Sequence, residues 1–105
     1  MHIDDCIEGL VRIMAAEGLN DSPVNLGRDR MVTINELAGI ISKIAGLGTP
    51  ELKHVDGPQG VRGRNSDNEY LAGALGWVPS ITLEQGLVPT YGWIEQQAKN
   101  AGLLG

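Results

Sequence analysis

The sequence predicts an α/β chain, small and mostly helical, with about four helices and two or three short strands. Three observations predict it. A helix-start signature, Asp, Ser or Thr followed three residues later by Glu or Gln, occurs four times. Behind each signature the apolar residues fall at helical spacing. Between the helical stretches lie short extended runs.

Taken in order, "MHI" at residues 1–3 reads as the end of a strand. Asp5–Glu8 opens a first helix, with Ile7, Leu10, Val11 and Met14 along one face and a stop near Gly18. "PVNLG" (23–27) is a second extended run. Thr33–Glu36 opens a second helix along Ile34, Leu37, Ala38, Ile41, Ile44 and Ala45, ended by Gly46 and Gly48. "ELKHV" (51–55) is a third extended run. Ser66–Glu69 opens a short third helix carrying Leu71, Ala74 and Leu75, with Gly76 placed as a left-handed C-cap. Thr82–Gln85 opens a fourth along Leu83, Leu87, Tyr91 and Ile94. Gly86, Pro89 and Gly92 fall inside that last helix, and Pro89 is expected to kink it by removing a backbone hydrogen bond. There is no internal repeat and no low-complexity segment.

At 105 residues the chain reads as a single partial domain, 1–105. Its hydrophobic share of 42% against 20% charged residues is that of a globular protein. Thirteen acidic against eight basic residues leave a net charge of −5, which argues against nucleic acid and against an anionic membrane surface. No apolar run approaches the ~18 residues that a bilayer requires, and no signal peptide opens the chain. The one cysteine, Cys6, can form no internal disulfide, so a reducing cytoplasm is the expected compartment.

The densest stretch is "GPQGVRGRNSDN", residues 57–68. Gly57, Gly60 and Gly63 match the glycine spacing of a dinucleotide loop. Pro58 stiffens the turn, however, two arginines occupy it, and no further strand with a ribose-binding acid follows at about 20 residues. A phosphate-holding role fits the residues better: glycines let backbone amides approach an anion, and Arg62 and Arg64 can fork onto phosphate oxygens. From chemistry alone, an arginine simply paired with a nearby acid explains the loop as well.

Other candidates have plainer explanations. Asp4 and Asp5 suit helix capping better than paired acid–base catalysis. His2, Cys6 and His54 lack short metal-ligand spacing. Cys6 lies in a first helical turn, where the dipole favours a thiolate, yet a small buried side chain is its commoner fate. Arg28, Asp29 and Arg30 read as a solvated turn, Trp77 and Trp93 as packing anchors, and Asn25 as a backbone partner at a strand end.

"HIDDC" before a helix, "PVNLG" followed by "TINELA", and "LGWVP", "TLEQGL" and "YGWI" further on resemble the C-terminal third of the extended short-chain dehydrogenases/reductases. These are the NAD-dependent sugar-nucleotide epimerases and dehydratases. The resemblance covers His2 to about Gln97, and "VRGRNSDN" narrows it to the epimerases that act on GDP-sugars. It implies that the loop holds the sugar nucleotide, that Arg64 contacts the substrate, and that Arg62, Asn65 and Ser66 are its neighbours at the site. It also implies what to expect elsewhere in a complete family member. The NAD fingerprint, the catalytic Tyr-x-x-x-Lys, and the cysteine and lysine with which such epimerases act belong to the N-terminal two thirds.

In this chain Tyr70 is followed four residues on by Ala74, and Tyr91 by Glu95, so neither makes that motif, and Cys6 is not that nucleophile. The resemblance therefore implies a C-terminal sugar-nucleotide-binding lobe without its Rossmann domain. It would have no catalytic or metal-binding residue, would bind no NAD itself, and would take a GDP-sugar weakly. In the complete fold the first helix and the "VNLG" run pack on the nucleotide-binding domain. Ile7, Leu10, Val11, Met14, Val24 and Leu26 are then an expected apolar surface, and a homo-oligomer the expected state. A stand-alone nucleotide-sugar-binding or oligomerisation module without catalysis is the alternative.

Overall fold

The computed structural model describes residues 1–19 and 21–104. Four helices form in the order α1 (Ile3–Ala15), α2 (Ile34–Ile44), α3 (Glu69–Leu75) and α4 (Leu83–Asn100). The chain divides into two compact units, each assembled from two separate stretches. One is Met1–Met31 with Gln59–Thr82, and the other is Val32–Pro58 with Leu83–Gly105.

Among the described residues no strand forms, which corrects the expectation of two or three. A strand needs a neighbour to complete its ladder, and these runs find other solutions. "MHI" contributes Ile3 to α1, with His2 as its N-cap: the His2 Nδ1 accepts from the amide of Asp4 at 3.3 Å. After "PVNLG", the carbonyls of Gly27, Arg28 and Asp29 are taken by residues 65–68 rather than by a strand. Residues 51–55 are exposed along their whole length, so water is available to their amides.

In the first unit, α1 turns an unexpected face inward. Asp5 is buried at 5% exposure, Gly9 is buried, and Cys6, Ile13 and Ala16 are half-buried. These positions share one side of the helix. Ile7, Leu10, Val11 and Met14 stand on the other, 51–86% exposed. Two contacts explain the orientation. The Asp5 carboxylate is not the start of the helix but a remote clamp, accepting from the amides of Ser80 at 3.2 Å and Ile81 at 2.8 Å. Gly9 lies so close to its neighbours that an added Cβ would stand 2.6 Å from Leu26 Cδ1 and 3.0 Å from Trp77 Cζ3. Arg12 pairs with Glu8 at 2.6 Å and covers the Trp77 ring, 5.6 Å from its centroid.

The short α3 carries Leu71, the one large apolar side chain fully buried among the described residues, at 1% exposure. Its N-cap is Asn68, not Ser66, and the Asp67 carboxylate accepts from the Glu69 amide at 3.0 Å. Its C-cap is Gly76 with φ 59°, the left-handed conformation that glycine adopts without a Cβ penalty.

In the second unit, α2 opens with a complete capping box. Thr33 Oγ1 accepts from the Glu36 amide at 3.1 Å, while Glu36 accepts from the Thr33 amide at 2.6 Å. Ser42 is buried and donates to the Gly48 carbonyl at 2.6 Å, closing the turn past the helix end. α4 packs against α2. Its half-buried residues Leu83, Leu87, Tyr91, Glu95 and Ala98 run three or four apart, with Gly86 buried beside them. The helix continues through Pro89 as one element of 18 residues, with Thr90 donating its hydroxyl to the Gly86 carbonyl at 2.9 Å. None of these helices is long and apolar enough to cross a membrane, among the described residues.

Candidate functional site

Residues 61–68 lie in the first unit, and their base is tied to residues 27–29. The Asn65 side-chain amide donates to the Asp29 carbonyl at 3.0 Å. The Ser66 backbone amide donates to the Arg28 carbonyl at 2.8 Å. The Asn68 side-chain amide donates to the Gly27 carbonyl at 3.0 Å, and its oxygen accepts from the Ser66 hydroxyl at 2.8 Å. Three successive carbonyls are thus satisfied by three nearby residues of the loop. The approach is close enough that a Cβ on Gly27 would stand 2.7 Å from the Ser66 Cβ. A side chain at position 27 would push the loop away.

Arg28 is half-buried, and its guanidinium donates to the Pro79 carbonyl. Arg12 is paired and stacked, and Arg30 also has a partner. Arg62 and Arg64 differ. Both are exposed, and among the described residues neither makes a hydrogen bond or ion pair. The structure therefore separates the four candidate residues by what their polar groups do. Asn65 and Ser66 hold the loop to residues 28 and 29, while Arg62 and Arg64 project from it with their donors unspent. The arrangement can receive an anion on guanidinium groups without first breaking an internal ion pair.

Reading the sequence missed two residues that shape this loop. Asn68 fastens it to Gly27 over 41 positions, and its only signal was the run of small polar residues "NSDN". Met31 reaches Gly63 with its terminal methyl, a contact no spacing rule reveals. The remaining candidates are placed elsewhere. Asp5 clamps backbone, His2 caps α1, and His54 Nε2 lies 3.3 Å from the Asn35 side-chain amide. Cys6 is half-buried, and no cluster of metal-binding side chains occurs among the described residues.

The glycines of residues 57–63 do not fit a dinucleotide loop. In a dinucleotide loop the glycines join a strand directly to a helix, so that the helix N-terminus meets the pyrophosphate. In this chain Gly57 follows an exposed run that is no strand, and α3 begins only at Glu69, six residues beyond Gly63. Gly57 and Gly60 face open space, so nothing packs closely enough there to require glycine.

No family model matches the chain. Curated relatives do. It is 45% identical to GDP-mannose 3,5-epimerase 1 of Oryza sativa subsp. japonica over 95 residues, 90% of this chain and 24% of that protein. It is 43% identical to the GDP-mannose 3,5-epimerase of Arabidopsis thaliana over the same shares of each. With GDP-L-fucose synthase 1 of Arabidopsis thaliana the identity is 33%, over 89% of this chain and 28% of the relative. The chain thus spans about a quarter of the length of the curated relatives it matches. The loop's narrower likeness, to GDP-mannose 3,5-epimerase, agrees with the relatives that match at the higher identity. On these matches the chain is the homologue of one segment of GDP-mannose 3,5-epimerases, which are proteins of the NAD-dependent epimerase/dehydratase family.

Proposed function

We propose that this chain is the C-terminal, substrate-binding segment of a cytoplasmic GDP-mannose 3,5-epimerase-like protein, and that it holds the diphosphate of a GDP-sugar. Arg64 is the principal contact, Arg62 assists it, and Asn65 and Ser66 keep the loop in place. One observation carries the reading: two exposed arginines, with no hydrogen bond or ion pair among the described residues, stand on a loop whose base is fastened to three consecutive carbonyls. The family relationship supports the choice of ligand, since the relatives at higher identity are named for GDP-mannose.

Chemistry on the sugar ring requires groups that take and return a proton at carbon, together with NAD in the full-length family. The loop supplies neither. Its arginines bind and orient, which by itself lowers no barrier to reaction. The chain alone is therefore expected to turn over no GDP-mannose and to bind no NAD. Incubation with both, followed by NMR of the sugar protons, checks this, and turnover above a protein-free control refutes it.

Binding is tested by titrating the chain with GDP-mannose. With part of a complete site, affinity near millimolar is expected, about −4 kcal/mol. Loss of one charge-assisted contact costs about 1.5–3 kcal/mol, so Arg64→Ala is expected to abolish detectable binding. Equal binding by both forms overturns the assignment. A second reading, an oligomerisation module, draws on the exposed apolar face of α1 and is tested by mass in solution.

A further inference from the structure

Between Arg62 and Arg64 stands Gly63, with the end of the Met31 side chain against it. A Cβ built there would collide with the terminal methyl of Met31, whose Sδ lies 3.8 Å away, and among the described residues nothing else, its chain neighbours aside, comes within 4 Å of that Cβ. Met31 belongs to no helix and is 57% exposed. Its end therefore rests on a glycine backbone instead of a hydrophobic core. The carbonyl seam at residues 27–29 fastens the loop from Asn65 onward, but it does not reach the two arginines.

We propose that Met31 is a positioning residue for Arg62 and Arg64: its methyl, seated on Gly63, limits the backbone conformations from which the two guanidinium groups reach an anion. Gly63 is needed because any side chain would occupy the seat. The inference rests on the functional reading above and adds to it the device that orders the arginines. A loop sampling many conformations presents its ligand-competent one for only a fraction of the time, and apparent affinity falls by that fraction. Methionine, unbranched and with three rotatable bonds, follows the loop surface where a stiffer side chain would not. The same freedom lets the methyl swing aside at little cost, so disturbing the contact changes loop order and leaves the fold's stability intact.

The test uses the whole 105-residue chain and three measurements: amide 15N relaxation at residues 62–64, the urea midpoint, and titration with GDP-mannose. Met31→Ala is expected to raise fast amide motion at 62–64 and to weaken binding about five-fold, as for a competent fraction reduced to about one fifth. Its urea midpoint should stay unchanged. Gly63→Ala should act alike, and the double variant should be no worse than either single one, because both remove the same contact. Met31→Leu, with similar volume, should recover part of the order.

Unchanged relaxation at 62–64 in Met31→Ala overturns the inference whatever the ligand does. So does full additivity in the double variant. Loss of binding in Arg64→Ala with none in the Met31 and Gly63 variants leaves the functional reading standing and removes this one. Absence of binding by the unmodified chain overturns both the reading and the positioning role of Met31.

Discussion

α1 and α4 carry similar apolar spacing in the sequence, yet the protein uses them in opposite ways. Along α4, Leu83, Leu87 and Tyr91 of the predicted face are half-buried, while its fourth member, Ile94, is 53% exposed and Glu95 takes the half-buried place beside it. Along α1, Ile7, Leu10, Val11 and Met14 face out, and Asp5, Gly9, Ile13 and Ala16 face in. Periodicity reports that a helix has two unlike faces; it does not report which neighbour each face will meet. In α1 a hydrogen-bonded carboxylate and a glycine close to an indole decide the orientation. The apolar stripe is left available.

The strongest way to break this comparison is to remove the clamp. In Asp5→Ala the amides of Ser80 and Ile81 lose a buried charged acceptor. Hydrogen bonds to charged groups are worth about 1.5–3 kcal/mol, and stranded donors add to the loss, so a cost of about 3 kcal/mol is expected. Leu71 is the only large apolar side chain fully buried among the described residues, so little reserve offsets such a loss. Urea denaturation followed by circular dichroism measures it. A midpoint equal to that of the unmodified chain would show that the carboxylate does not set the inward face of α1.

Two helical glycines sharpen the contrast, because the same substitution should have opposite signs. Gly9→Ala forces a Cβ to 2.6 Å from Leu26 and 3.0 Å from Trp77, and such overpacking costs about 1–3 kcal/mol. Gly92 in α4 has nothing within 4 Å of its would-be Cβ. Gly92→Ala should therefore show only the propensity gain of alanine in a helix interior, up to about 1 kcal/mol of added stability. Shifts of the urea midpoint in the same direction would mean that the tight packing around Gly9 does not govern the response.

What the sequence made legible follows the reach of each interaction. The Thr33–Glu36 box and the left-handed Gly76 depend on residues within three or four positions, and both occur as the spacing predicts. The Asp5–Glu8 and Ser66–Glu69 signatures look equally good, but their leading residues are drawn elsewhere. Asp5 reaches across 75 and 76 positions to Ser80 and Ile81. Ser66 donates its amide to Arg28 and its hydroxyl to Asn68, leaving Asn68 next to α3. The expected strands fail for a related reason: alternation and β-propensity can make a run extended, but only a neighbouring strand makes it a ladder. For the candidate loop, Arg62 and Arg64 were legible as chemistry. That neither has a partner among the described residues, and that Asn68 and Met31 hold the loop over 41 and 32 positions, required the structure.

The smallest expected effect on folding concerns the face that α1 leaves exposed. Met14 is 86% exposed and Val11 58%, so Val11→Lys and Met14→Lys should each change stability by no more than about 0.5 kcal/mol. Their effect on association should be larger. Ile3, Ile7, Leu10, Val11 and Met14 extend over three to four turns of one helix, and exposed apolar surface on that scale favours a partner. A second copy can present the same face, and two-fold pairing is the commonest arrangement for such a surface. Stable pairing typically buries about 800 Å² on each side, which this stripe must approach together with residues around it. Static light scattering of the unmodified chain at micromolar concentration should therefore give at least twice the mass of one chain. The double variant Val11→Lys/Met14→Lys should move it toward a single chain, because two charges on each copy would face their like across a two-fold axis. A single-chain mass before any substitution would break the expectation outright. A dimer unaffected by the two lysines would place the interface away from α1, and its outward apolar face would then need a different partner.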